Sequence, residues 1–557
     1  MKNIVCKFII ALTALVMIFL CLAPTSVAQQ AEDYLRALQA RSASEKKCDW
    51  IFWGDKIGTF SNWENHSNRL IPVYTFGGDL NAISGKKSAY RKKKRLEKLY
   101  GRVPNETLNE NADYFDQTQL YTLQKLAVEQ GKKNIIVMIF DGMDWQTTQA
   151  AAIYKSQKIT YTQGRGDVLS FQTYDKAPTD FGFCVTSPHN TGSKHDVDSQ
   201  TVINIGGNRH GGYNPDFGGK APWSQPGDIS YLMGKRKSLN HMYTDSAASA
   251  TSIFTGKKTY SGAIGIDHKG NHLSSIAHQL QDSGRSIGVV TSVPIAHATP
   301  ASAYAHNVTR NDYQDISRDM LGLPSVSHRD KPLKGMDVVI GCGWGAETKN
   351  DSNQGKNFVA GNKYLPQAEM DEINIDNGGS YVVAHCTAGK KGGDVLAAAA
   401  TVAADGKHRL LGLFGAECTH LPYATADGDF HPTRGIKSAD KYTPEELLES
   451  PTLAEMADAA LQVLNTNEKG FWLMVEAGDV DWANHNNNID DSIGAVFSGD
   501  KAFDAITNWV EKNSNWEDTI LIVTADHGHM MNVVDLERLI RPAVESVAKK
   551  SDDHASK

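Results

Sequence analysis

Cysteine is scarce in this chain, and positive charge is in deficit. Seven cysteines occur in 557 residues and no two stand at CxxC spacing, so no close-spaced thiol motif organises the fold. Lys and Arg total 57 against 64 Asp and Glu, a formal net charge of −7. That balance argues against a nucleic-acid-binding surface. After the first thirty residues no hydrophobic run is long enough to span a bilayer, so no stable membrane partner is expected beyond that point. Internal repeats and coiled-coil heptads are lacking too. What remains is ordinary globular composition, 40% hydrophobic and 22% charged, with length enough for a large core.

The opening "MKNIVCKFIIALTALVMIFLCLAPTSVAQQ" has two lysines, a long apolar stretch and a small-x-small site at Ser26 and Ala28. This is the pattern of a secretory signal peptide over residues 1–28 and implies a periplasmic or extracellular location. The rival is an uncleaved membrane anchor; Cys21 is a weak lipid-attachment candidate because bulky Leu20 precedes it. Cleavage would remove two lysines and no acid, moving the net charge to −9. Five cysteines would remain, Cys48, Cys184, Cys342, Cys386 and Cys418, which allow at most two internal disulfides and one thiol.

From residue 132 onward, strand-like apolar runs alternate with helical patterns, the signature of a mostly parallel sheet covered by helices on both faces, an α/β fold. Strands are expected at 134–140, 286–292, 336–342, 409–415, 470–478 and 519–525, with helices such as 452–464 and 500–512 between them. Segments 161–240 and 345–393 are rich in Gly, Asn, Ser and Asp and read as loop insertions. The basic run "KKSAYRKKKRLEKLYG" (86–101) reads as a solvated helix face.

Three strands run directly into acidic or histidine residues: Asp141, Glu476 with Asp481 beyond it, and Asp526 with His527. In open α/β sheets ligands gather outside the carboxyl ends of the strands, which lets these side chains meet. Asp481 and His485 stand four apart, on one helical face, where they can grip one zinc ion or form a surface contact. Asp526 and His527 also suit a turn, and Asp141 a helix cap. Ser246 sits among small residues at the start of a helical pattern, where a hydroxyl can meet an oxyanion or simply cap the helix.

Taken together, "NIIVMIFDGM", "TDSAASATSIFTGKKTYSGAIGID", "HATPASAYAHNVTR", "EKGFWLMVEAGDVDWANH" and "LIVTADHGH" resemble the successive motifs of the alkaline phosphatase family, in order. The resemblance implies an alkaline-phosphatase-like sheet, two zinc ions and one magnesium ion. Ser246 would be the nucleophile. Asp141, Asp526 and His527 would hold the zinc beside it, Asp481 and His485 the zinc on the leaving-group side, and Asp141, Thr299 and Glu476 the magnesium. Arg310 would clamp phosphate oxygens. These roles suit the donors: carboxylate and imidazole for zinc, oxygens for magnesium, a planar guanidinium for phosphate. His297, His529 and Asp245 would support these ligands from outside. His297 stands where the family has Asp or His, which admits zinc in place of magnesium. Trp482 replaces a polar residue that contacts phosphate through water.

One ligand is missing from its usual place. In the family the leaving-group zinc takes a further histidine from a segment downstream of the T-A-D-H strand, yet only His554 follows His529 here, in the polar tail 541–557. Residues 64–77, "ENHSNRLIPVYTFG", resemble that segment and offer His66; residues 113–126, "DYFDQTQLYTLQKL", resemble the turn and helix that usually end the family's chains. The chain thus looks circularly permuted, with an N-terminal segment 29–130 supplying a strand and a zinc ligand to a catalytic domain 131–540. Domain termini lie at the surface and often close together, so such a permutation is physically admissible. His420 and His431 are the rival ligands.

The resemblance implies hydrolysis of small phosphate monoesters through a phosphoserine, and a homodimer as the usual assembly. A phosphodiesterase or sulfatase on the same scaffold, or an inactive binding protein, are the alternatives.

Overall fold

Ten strands build the central sheet, and all but one point the same way. They are β1 (Ile71–Phe76), β2 (Phe115–Asp116), β3 (Asn134–Phe140), β4 (Thr179–Val185), β5 (Ser286–Pro294), β6 (Val338–Cys342), β7 (Tyr381–His385), β8 (Arg409–Phe414), β9 (Phe471–Ala477) and β10 (Thr519–Thr524). Their spatial order is β7-β8-β6-β5-β9-β3-β10-β1-β4-β2. The first seven in that order are mutually parallel; β1 runs antiparallel to both β10 and β4. This computed structural model describes residues 33–60, 66–235, 241–416, 420–431 and 441–542. The expected signal segment 1–28, Cys418, and all but the first two residues of the polar tail lie outside the described residues. Among those residues no helix is long and apolar enough to cross a membrane, and Cys48, Cys184, Cys342 and Cys386 are free thiols.

The inner strands β3, β9 and β10 are buried at every position, as expected for parallel strands covered on both faces. Helices α3 (Leu453–Leu464) and α5 (Ile489–Asn513) pack over the sheet, and α1 (Trp145–Ser156) packs against α5. In α3 the buried Leu453, Met456, Ala457, Ala460, Leu461 and Leu464 recur at helical spacing, and Thr452 with Glu455 forms a capping box at its start.

Three sequence expectations change. The segment 161–240 contains β4, and 345–393 contains β7, so both insertions contribute strands to the sheet. Expected helix 500–512 is the second half of the 25-residue α5. Its first half carries Gly494 and Gly499 because a side chain would strike the Ala424 carbonyl oxygen at the one and the Phe140 ring at the other. Within the basic run only Lys93–Tyr100 is α-helical; it buries Leu96 and Tyr100 and leaves its lysines outward.

Candidate functional site

Strand direction brings the site together. Asp141 follows the last residue of β3, Glu476 is the penultimate residue of β9, and Asp526 and His527 lie just past β10. These three strands are adjacent. His297 and Thr299 follow β5, the next strand over. Because β1 is reversed, the residues ahead of it reach the same edge as the residues behind its neighbours. A short pairing of His66–Ser67 with Gly528–His529 completes this, with His66 directly opposite His529.

Ser246 opens helix α2 (Ser246–Thr255), and Asp245 is the cap, its carboxylate accepting from Ala248 N at 3.1 Å. Relieved of capping, Ser246 Oγ lies 3.2 Å from His527 Nε2 and 3.5 Å from Asp141 Oδ1. The same His527 nitrogen is 3.3 Å from Asp141 Oδ1 and 3.4 Å from Asp526 Oδ2. Asp526 Oδ1 accepts backbone N–H groups from Gly142 and His527, at 3.0 and 2.8 Å, which fixes its plane and leaves Oδ2 aimed inward.

The second group centres on Asp481 Oδ1. It is 2.7 Å from His529 Nε2, 3.4 Å from His485 Nε2 and 3.8 Å from both His66 Nε2 and His527 Nε2. Asp481 and His485 share the short helix α4 (Asp479–His485) at the four-residue spacing. His66 Nδ1 donates to the Thr244 carbonyl at 2.7 Å, so its Nε2 carries a lone pair; that nitrogen lies 3.0 Å from His485 Nε2. An imidazole fixed through one nitrogen by a carbonyl presents the other as a metal ligand.

A third group joins Asp141, Glu476 and His297, whose donor atoms lie within 4.8 Å of one another. Thr299 Oγ1 donates to Asp141 Oδ2 at 3.3 Å, and Thr291 Oγ1 donates to Glu476 Oε2. Arg310 extends over this edge: one guanidinium nitrogen donates to Asp245 Oδ2 at 3.1 Å and another to His297 Nε2 at 3.3 Å.

The electrostatics call for cations. Asp141, Glu476, Asp481 and Asp526 are all buried. Burial, then the charges of Asp526, Asp481 and Glu476, hold Asp141 well above the usual carboxylate range. Burial pushes Glu476 up to about 8. Asp481 is the exception: burial opposes its ionisation, but His485, His529 and His527 outweigh burial and hold it well below the usual range. Burial also lowers the imidazoles, His66 far down, His529 to about 4 and His297 to about 3. Arg310 loses by burial and gains more from Asp245, Tyr313 and Asp141, so it stays charged. His66, His529 and His297, so lowered, offer lone pairs beside crowded acids whose charges repel one another without a cation. Glu476 Oε1, Asp526 Oδ2 and His297 Nδ1 are buried with no hydrogen-bond partner among the described residues. A divalent-metal centre fits this donor set.

Every expected residue thus reaches one crevice, whereas the rivals of His66 stand elsewhere. His431 is exposed and pairs with Asp429 at 2.9 Å, and His420 Nδ1 contacts the Leu421 carbonyl. Trp482 packs its edge against His420, ring centroids 5.0 Å apart, and lies 6.0 Å from the His297 ring. The sequence motifs alone do not single out Thr291, Thr244 or Gly142. A polar residue near the end of an otherwise apolar strand is a signal for Thr291; the Thr244 carbonyl leaves none.

A protein-family model described as Alkaline phosphatase matches residues 229–554, more than half of the chain. Alkaline phosphatase 4 of Bacillus subtilis is 32% identical over 288 residues, 51% of this chain and 49% of that protein. Alkaline phosphatase of Escherichia coli is 30% identical over 311 residues, 55% of this chain and 62% of that protein. The chain therefore spans about half to under two thirds of these relatives. The crystal structure of Thermus thermophilus alkaline phosphatase aligns with 72% of this chain and 60% of that one at 23% identity, with a TM-score of 0.43. Asp141 and His66 both precede the family match.

Proposed function

Because the chain belongs to the alkaline phosphatase family, we propose that it hydrolyses phosphate monoesters at this crevice through a phosphoserine on Ser246. The supporting observation is the buried crowd of Asp141, Asp526, Asp481 and Glu476 with imidazoles beside a serine hydroxyl, which lies 3.2 Å from His527 Nε2. Asp141, Asp526 and His527 would hold one zinc; His66, Asp481 and His485 the other. Asp141, Glu476 and Thr299 would hold magnesium, or zinc given His297. Bound there, the ions supply fixed positive charge beside the attacking and departing oxygens.

The chain's own groups do the rest. Ser246 Oγ bonds to phosphorus as the bond from phosphorus to the alcohol oxygen breaks, and water then cleaves the phosphoserine to release inorganic phosphate. Arg310, anchored by Asp245, offers its planar fork to two non-bridging oxygens. Asp481 stays ionised through its ring of imidazoles, and His529 fixes the direction of that carboxylate. Residues 64–77 and 113–126 resemble segments that in the family follow the T-A-D-H strand, which would bring His66 to serve this centre. Action outside the cytoplasm follows from the leader and belongs to the same reading.

Comparing turnover of an aryl phosphate with that of its methyl diester tests the reaction. A dianionic monoester matches three cationic positions and Arg310 better than a monoanion, so monoester turnover should exceed diester turnover by orders of magnitude. Faster cleavage of the diester would make the protein a phosphodiesterase instead.

A further inference from the structure

We propose that His272, His306 and His328 form a separate binding site for a zinc-like divalent transition ion. One ring nitrogen from each lies within 4.8 Å of the others, and none of the three belongs to the groups at the strand ends. The His306 and His272 rings stack with centroids 4.5 Å apart, and His328 closes the third side at 4.9 Å from His272.

The tautomer at the centre of the cluster is fixed. His306 Nε2 donates to the Leu273 carbonyl at 2.8 Å, so Nδ1 carries a lone pair, and that atom lies 2.9 Å from His328 Nε2. This repeats the arrangement at His66, a buried imidazole tethered by a backbone carbonyl with its other nitrogen turned inward. Two nitrogens on a tetrahedral zinc at 2.0–2.1 Å sit about 3.3 Å apart, so a few tenths of an ångström separate the present contact from ligation. The competing account is a plain hydrogen bond, with the proton on His328 Nε2; metal binding would release that proton to solvent.

The surroundings favour lone pairs over protons. Burial depresses His306 far down and His328 to about 4, so neutral pH leaves both uncharged. Asp319 Oδ2 lies 3.9 Å from His328 Nε2 while accepting the His306 backbone N–H, close enough to balance a bound cation. His272 is exposed, which gives solvent and ions a route in. Three imidazoles select zinc and its transition-metal neighbours over calcium or magnesium.

An ion here would clasp three segments. His272 bridges to Ile266, His306 precedes the Asn307 that bridges to Ile264, and the His328 turn is held by Ser327 Oγ donating to the His306 carbonyl at 2.6 Å. The middle segment continues to Arg310, whose backbone N–H donates to Gly262 O. The role is therefore structural: it stiffens the stretch that carries the phosphate-facing arginine.

The test uses the full chain, stripped with chelator, reloaded with Zn²⁺, desalted and assayed for zinc by elemental analysis, wild type against the double variant His272→Ala/His328→Gln. The variant should hold about one zinc fewer per chain, keep its turnover number within about twofold, and lose part of the zinc-dependent rise in Tm. In a His485→Ala background, impaired at the other centre, the same pair should still remove about one zinc. Zinc contents equal to those of the parent chains would overturn the proposal. Should the double variant fail to fold, His272→Ala alone, at an exposed position, replaces it: about one zinc fewer supports the site, and an unchanged zinc content overturns it.

Discussion

At Gly142 the backbone carries a φ of +70°, and a Cβ there would lie 2.8 Å from His529 Cδ2 and 3.1 Å from Asp481 Cα. Its N–H also holds Asp526 Oδ1. Both the conformation and the space demand glycine. Gly142→Ala should cost about 1–3 kcal/mol of stability, seen as a lower Tm, and displace the Asp481–His529 pair so that turnover falls as well. Asp312 gives a pH signature. Burial, aided by Asp315, pushes it from an ordinary 3.8 up to about 8. The folded chain therefore keeps a proton that the unfolded chain releases near pH 4. The stability this group contributes is complete below that pH and drains away as pH climbs toward 8. Tm measured against pH should show Asp312→Asn gaining on wild type between pH 4 and 8, with a constant difference outside that window.

At the scale of elements, the described chain begins with a helix, Tyr34–Glu45, fastened by one buried cation. Arg36 Nε donates to Asp490 Oδ2 at 2.9 Å at the start of α5, and its NH2 group reaches Thr425 Oγ1 and Asp427 Oδ1, both at 2.6 Å. Arg36→Ala removes the cation facing the buried Asp490 carboxylate, and breaking a buried pair from one side costs about 3 kcal/mol or more. Chemical denaturation should register that loss, whereas turnover of the folded fraction should stay near wild type. The six strands expected from apolar runs are all present because burial on both faces writes itself as a short run of apolar residues. Strands β4 and β7 escape that signal for the opposite reason. Thr179–Val185 is mostly half-buried and polar at its start, and Tyr381–His385 is a five-residue edge strand following a Gly-rich turn. The first half of α5 is hidden by glycines whose reason is contact with other elements, which a single sequence does not display.

Over the whole molecule, the local candidate pairs, Asp481 with His485 and Asp526 with His527, are legible because spacing on a helix or strand end fixes their geometry. The placement of His66 is not legible from spacing. It requires a resemblance between segments, and its physical basis is the reversed direction of β1, which turns an early part of the chain toward the carboxyl ends of later strands. The His272, His306 and His328 cluster leaves no sequence signal at all, since its members come from three loops. His66 stands with Asp481, His527 and His529, residues more than 400 positions away, and in the proposed function it completes the bimetallic centre. Zinc content and aryl phosphate turnover of wild type and His66→Ala, measured side by side at equal protein concentration, test it most directly. His66→Ala should hold about one zinc fewer per chain and turn over roughly a hundredfold or more slowly. Unchanged zinc together with unchanged turnover would contradict it.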